Sequence, residues 1–212
     1  MLRKFKRGKF SLIIGFLLAC GVYPQFICAA LPGQVNPMEI IQKGTERALQ
    51  LLHEAQVTQA PALRQRKVEI LDIVSEYFSF EEMARRALGR PWKDQPSDKR
   101  EEFVRLFKQL LFNAYINRLE SYTGSNERVY YDSELVEGDH ALVRTHIILQ
   151  GDQNVSIDYR LCRSGEQWKV YDVVVEGISF VDNYRSQFAS ILTNESFDSL
   201  LRKLREKVAQ SS

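Results

Sequence analysis

From Asn36 to Tyr122 the apolar residues recur every three or four positions. From 128 to 175 they alternate with polar ones, and beyond Gly177 the helical spacing returns. The first block predicts four helices. Asn36 is placed as an N-cap, Pro37 fits the first helical position and Glu39 reaches back. Ile40, Ile41, Ala48, Leu51, Leu52 and Ala55 then form one apolar face that ends before Pro61. A second helix runs from about Ala62 to Phe78 on Leu63, Ile70, Leu71, Val74 and Phe78. A short third one opens on a capping box of Ser79 and Glu82 and stops at Gly89. Trp92 lies in the connector to a fourth, from about Asp98 to Tyr122, whose stripe is Phe103, Phe107, Leu110, Leu111, Ala114 and Leu119; Gly124 ends it.

The alternating block predicts four strands. Residues 128–136 alternate weakly, and Glu137-Gly138-Asp139 is a hairpin signal before 140–149, where Ala141, Val143, Ile147 and Leu149 are the apolar set. In 154–162, Val155, Ile157, Tyr159 and Leu161 take one side, and Ser156, Asp158 and Arg160 the other. Arg163-Ser164-Gly165-Glu166 turns into 167–175. The segment Tyr171–Leu192 is the most informative. Val173, Val174 and Val175 read as strand, Glu176 and Gly177 break it, and Ile178, Val181, Tyr184 or Arg185, Phe188, Ile191 and Leu192 continue as a helical stripe. Gly177 is thus expected as a hinge between sheet and covering helix, with helices at about 178–192 and 197–209. The fold class is α+β: N-terminal helices, a four-stranded antiparallel twisted sheet and covering C-terminal helices.

The start of the chain changes how its charge is read. Arg3, Lys4, Lys6, Arg7 and Lys9 precede an apolar run from Phe10 to Cys20, and Cys28-Ala29-Ala30 supplies a small-residue cleavage site. This is the anatomy of a secretory signal peptide, so residues 1–30 are expected to leave and 31–212 to form the working domain. Removing 5 basic and no acidic residues turns 29 Lys+Arg against 27 Asp+Glu into 24 against 27, from +2 to −3. No basic block remains to hold nucleic acid. Two of the three cysteines leave as well, so Cys162 is expected unpaired. Leu17-Leu18-Ala19-Cys20 is also similar to a bacterial lipoprotein cleavage box, which would tether the domain through Cys20.

Motifs for catalysis are missing. His53, His140 and His146 form no HxxxH or His–Cys cluster, and the chain has no GxSxG, phosphate loop or GxGxxG. Neither an enzyme nor a metal or other cofactor is expected. Aromatic and aliphatic side chains are in surplus on both halves, and they would serve equally to fill the space between helices and sheet or to line it.

Trp168, Tyr171-Asp172-Val173, Glu176-Gly177-Ile178-Ser179, Asn183-Tyr184-Arg185 and Gln187-Phe188 resemble the signature of the MlaC family. Upstream, Tyr77-Phe78-Ser79-Phe80-Glu81-Glu82-Met83-Ala84, Leu88-Gly89-Arg90-Pro91-Trp92, Phe103 and Phe107-Lys108-Gln109-Leu110-Leu111 are similar to that family's helical motifs. Ser79, where an acid is frequent, and Phe180, where Leu is usual, depart from the pattern. The likeness covers about residues 36–209.

The resemblance implies a periplasmic phospholipid carrier, an auxiliary (toluene-tolerance) protein of an ABC transport system that maintains outer-membrane asymmetry. Its partners would be an outer-membrane lipoprotein complex and an inner-membrane ABC transporter with its substrate-binding membrane subunit. Phospholipid would be the cargo, and the carrier is expected to be a monomer. Each methylene exposed to water costs about 0.8 kcal/mol, so two chains of roughly 14 methylenes forfeit more than about 20 kcal/mol unless both tails are buried. On this reading the pocket is lined by Phe78, Phe80, Met83, Phe107 and Leu111 from the helices. Val143, Ile157, Tyr159, Trp168, Val170 and Val173 line it from the sheet, and Ile178, Val181, Phe188 and Ile191 from the closing helix. Gly177, Tyr184 and Arg185 are the mouth or hinge, although an Arg185–acid bond locking the helix to the body is an equal reading. The alternative is an NTF2-like small-ligand-binding or chaperone module, whose cavity would carry convergent polar groups where an acyl slot is nearly free of charge.

Overall fold

The computed structural model describes residues 36–54, 60–121, 128–149 and 153–210. The export segment 1–30, with Cys20 and the Cys28-Ala29-Ala30 site, and the stop at Gly124 lie outside the described residues. The chain is α+β in the order α1 (Pro37–Glu54), α2 (Ala60–Tyr77), α3 (Phe80–Leu88), a 3₁₀ turn (Arg90–Asp94) and α4 (Ser97–Ser121). The sheet follows: β1 (Arg128–Glu137), β2 (His140–Ile148), β3 (Asn154–Ser164), β4 (Gln167–Val175) and β5 (Ile178–Ser179). Then come α5 (Phe180–Asn194) and α6 (Phe197–Gln210).

The helix starts follow their capping chemistry. Asn36 Oδ1 accepts from the Glu39 amide at 2.7 Å. At α3, Ser79 Oγ accepts from the Glu82 amide at 3.4 Å, but the expected reciprocal half of the box is absent. The Ser79 amide donates instead to the Val170 carbonyl at 2.8 Å, and the Glu82 carboxylate accepts from Arg85 and Arg86. A sheet edge outcompetes the local acid for that amide, and Phe78 is drawn into a parallel bridge with Val170. Gly44 marks a close approach of a different kind. A Cβ there would lie 3.1 Å from the Tyr77 ring, so its absence lets α1 cross the end of α2.

The sheet is an antiparallel meander in the order β1-β2-β3-β4-β5. It has five strands rather than four, because Ile178 and Ser179 pair with Val175 and Val174 before the helix begins. Glu176 (φ 49°) and Gly177 (φ 78°) form the two-residue turn between β4 and β5; positive φ at both central positions favours glycine and matches the right-handed strand twist. Gly177 therefore serves a hairpin, and the junction with α5 falls at Ser179, whose Oγ caps the Asp182 amide at 3.0 Å.

Both β1 and β4 carry a bulge. Tyr131 opposes Thr145 and Ser133 opposes Arg144, leaving Asp132 extra. Leu161 opposes Val170 and Arg160 opposes Asp172, leaving Tyr171 extra. A bulge resets the alternation of the strand by one residue. In β4 it lets Trp168, Val170 and Val173 share the apolar face while Tyr171 and Asp172 meet the helices behind the other.

The apolar side chains form two main clusters. One is helical: Phe103 and Phe107 of α4 meet Phe188 of α5 edge-on with ring centroids 5.4 and 5.6 Å apart, and Leu200, Leu201 and Leu204 of α6 close it. Arg205 grips Glu102 through two bonds of 2.7 and 2.9 Å across α6 and α4. The other cluster lies on the sheet, where Ala141, Val143, Leu161, Trp168, Val170 and Val173 are buried beneath Ile41 of α1.

Candidate functional site

The sheet cluster is the candidate site. Its centre is buried, yet Tyr131, Ile157, Tyr159, Val175 and Phe180 around it, and Met38 and Ile40 of α1, are only partly so. The amphipathic α1 lies across this apolar face, with Phe78 after α2 and Phe180 of α5 packed against it as well, an arrangement with the form of a slot.

Its polar atoms are few. Thr145 is buried and donates from Oγ1 to the Ile157 carbonyl at 2.8 Å, so it is spent on the ladder. Thr45 of α1 shares hydrogen bonds with the hydroxyls of Tyr131 and Tyr159. Burial pushes the Tyr159 phenol up to about 12 and that of Tyr131 in the same direction, so both favour the neutral form. At the N-terminal end of α1 the Met38 amide donates to the Glu134 carboxylate of β1 at 2.6 Å. The α1 helix is thus held on the sheet by apolar contact and a short series of polar bonds.

The residues expected to line one pocket divide between the clusters. Val143, Trp168, Val170 and Val173 are in the sheet cluster, with Ile157 and Tyr159 packed against it. Met83, Phe107, Leu111, Val181 and Phe188 are in the helical core, with Phe80 and Ile191 against it. Phe78 touches both and stacks on Phe80 at 6.0 Å, so it forms the seam. Ile178 joins neither. It is 61% exposed, because the β5 pairing displaces the start of α5 by two residues and turns the Ile178 side chain outward. Tyr184 is only 8% exposed and meets Phe107 edge-on at 5.2 Å, which places it in the helical core rather than at a mouth. Arg185 lies over Gly89, where an added Cβ would stand 3.5 Å from its Nε.

The tie between α5 and the sheet is made by a residue pair that sequence reasoning did not single out. Asp172, 1% exposed, accepts from Arg160 Nη1 at 2.9 Å, from Ser179 Oγ at 2.7 Å and from the Val181 amide at 3.0 Å. The signal available was an acid set inside an otherwise aliphatic strand, where burial requires partners. On the same side of the sheet Arg86 lies 3.9 Å over the Tyr171 ring. Cys162, without a disulfide partner among the described residues, has its thiol pushed up, by burial and then by Glu82.

A separate groove of about 570 Å³ runs between α3, the 3₁₀ turn and α4. Glu81, Arg100, Glu101, Arg105 and Lys108 line it beside Trp92, Ser97 and Val104. Among the described residues no helix is long and apolar enough to cross a membrane, and no group of His, Cys, Asp and Glu has a metal-holding arrangement.

The family model described as "MlaC protein" matches residues 42–206. The chain belongs to the MlaC family. A Haemophilus influenzae MlaC, described as an intermembrane phospholipid transport system binding protein, is 28% identical over 139 residues. That match takes in 63% of this chain and 64% of the relative, so it spans less than two thirds of the relative's length. The fold is also that of a phospholipid-binding protein from Ralstonia solanacearum, solved in complex with a phospholipid. The TM-score is 0.73 at 24% identity, over 84% of this chain and 99% of that one.

Proposed function

We propose that this protein is a periplasmic phospholipid carrier that holds acyl chains between the apolar face of its sheet and α1. The observation that carries the reading is that face: apolar at its centre, with partly exposed aromatic and aliphatic side chains around it and α1 lying across it, in a chain of the MlaC family. The described activity of the Haemophilus relative and the phospholipid in the Ralstonia structure support it. Residues 1–30 direct export and are removed near Ala30, or Cys20 is lipidated and tethers the domain. Cargo passes between an outer-membrane lipoprotein complex and an inner-membrane ABC transporter with its substrate-binding membrane subunit, which maintains outer-membrane asymmetry. The mechanism is burial without chemistry: the slot replaces water around the tails, and the head group stays wet.

Ile157→Trp tests the site. Ile157 is half-buried in the middle of β3, so a larger ring fills slot space at a tolerable packing cost of about 1–3 kcal/mol. Excluding about four methylenes at ~0.8 kcal/mol each lowers lipid affinity roughly hundredfold. A folded Ile157→Trp protein that holds as much lipid as the wild type places the cargo elsewhere. A small-ligand module is the second reading, favoured by the Thr45–Tyr131–Tyr159 hydroxyls. It requires a polar compound, rather than lipid, to occupy the slot.

A further inference from the structure

Ile178 is the most exposed large apolar side chain among the described residues, at 61%. A single apolar residue in water is ordinary and by itself marks nothing. Its place in the sheet sets this one apart. Directly opposed residues of an antiparallel pair project to the same face. Tyr131 opposes Thr145, Thr145 opposes Ile157, Ile157 opposes Val175 and Val175 opposes Ile178. They form one row across all five strands, on the face that holds the sheet cluster. Burial falls outward along it: Thr145 is buried, Ile157 and Val175 are half-buried, and Ile178 stands in solvent.

We infer that Ile178 is the lip of the slot, the threshold over which acyl chains slide in and out; this rests on the carrier reading above. From Ile178 the row runs through Val175 and Ile157 towards the covered centre with no polar side chain between them. A tail that follows it stays in contact with hydrocarbon from its first methylene. The opposite end of the face is occupied, since α1 comes down on β1 there and the Met38 amide meets the Glu134 carboxylate at 2.6 Å.

The lip is held in place. Glu176 has φ 49°, a left-handed conformation uncommon outside glycine. Its amide donates to the Ser156 carbonyl at 3.0 Å and its carboxylate accepts from the Ser156 amide, so backbone and side chain both fasten the β4–β5 turn to β3. On the other face Ser179 is buried and donates to Asp172. Ile178 is therefore exposed on a fixed hairpin and not on a frayed end. A side chain at the threshold touches a tail in passage more than a tail already seated. It sets how fast lipid enters and leaves, and not how much is held at equilibrium.

Exchange of a fluorescent phospholipid between vesicles and the delipidated protein tests this, with uptake, release and equilibrium partition measured separately. Ile178→Asp is expected to slow uptake and release alike, each roughly tenfold, and to leave the partition within about twofold of the wild type. Ile178→Thr keeps the β-branched shape suited to a strand and should slow both by a smaller factor, while Ile178→Val keeps the wild-type rates. Circular dichroism should be unchanged in all three, and the Thr and Val pair decides alone should Ile178→Asp fail to fold. Val68→Asp on α2 and Leu135→Asp on the other face of β1 replace side chains 57% and 48% exposed that do not continue the slot, and both should exchange lipid at the wild-type rates. Wild-type rates in Ile178→Asp and Ile178→Thr overturn the lip, as does a slowing shared by the two controls. A lowered partition with faster release makes Ile178 part of the seated site and overturns it too. So does a slowing confined to Val136→Asp, at the β1 end of the slot face, which puts the mouth there. A wild type that takes up no phospholipid fails the carrier reading itself, and the lip with it.

Discussion

Removing the Asp172 carboxylate should detach α5 from the sheet. Asp172→Ala leaves the Ser179 hydroxyl and the Val181 amide without an acceptor in a site that water does not reach. Each such buried donor costs about 1–3 kcal/mol. The Arg160 side chain is 41% exposed, so water takes over its solvation and its lost ion pair adds at most about 1 kcal/mol. The sum, roughly 3–6 kcal/mol, is a large part of a typical domain's 5–15 kcal/mol. At about 2–4 °C per kcal/mol for a domain of this size, the thermal midpoint should fall by roughly 10 °C or more. Asp172→Asn keeps an acceptor oxygen for the amide and should lose about half as much. Thermal and urea unfolding followed by circular dichroism give the magnitude. Hydrogen exchange gives the location, since the Val181 amide should lose its protection ahead of the α4–α6 core. A midpoint for Asp172→Ala within about 2 °C of the wild type would refute the buried clasp.

Two titrations probe the same packing. Glu82 is pushed up by burial, but hydrogen bonds from Arg85 and Arg86 outweigh this and hold its carboxyl below the ordinary range. Its contribution to stability is therefore present above the unfolded-state value and lost as pH falls through the lower folded one. Glu82→Gln should flatten the acid limb of stability measured by urea unfolding; an unchanged acid limb excludes a net stabilising ion pair. Burial pushes the Tyr159 phenol up to about 12, so a folded-state absorbance titration should show a late phase that Tyr159→Phe diminishes. The neutral form is the one the fold favours, so this contribution holds below the unfolded tyrosine value near 10 and is lost as pH rises towards 12. A variant that leaves the late phase intact assigns it to another residue.

Periodicity carried most of the fold. In the α4 stripe Phe103, Phe107, Leu110 and Leu111 are buried as their spacing implies while Ala114 is exposed, and the alternation of Val155 to Leu161 sets the apolar face of β3. What periodicity cannot express is a change of phase. The bulges at Asp132 and Tyr171 each insert one residue, and the pairing of Ile178 with Val175 exists only once β4 is in place. For that reason Ile178 read as the first residue of a helix and is instead an exposed strand residue. The candidate site was partly legible for the same reason. Six sheet residues named for the pocket do share one cluster: Ile157 with Tyr159, and Trp168 with Val170, by local alternation, but Val173 joins Trp168 and Val170 only through the bulge at Tyr171. Their expected partners on α3, α4 and α5 went to a separate core, because which helix covers which face is decided by tertiary contact. Asp172 and Thr45 were passed over because their burial comes from elements distant in the chain, Ser179 and Val181 for the first, and Tyr131 and Tyr159 for the second.

The central claim is that the slot between α1 and the sheet carries phospholipid. The direct measurement is native mass spectrometry of the protein released gently from the periplasm, followed by extraction and identification of whatever is bound. The account predicts a mass excess matching phospholipid, reduced in Ile157→Trp while the protein stays folded. An unliganded wild-type protein, or one carrying only a small polar compound, would contradict it.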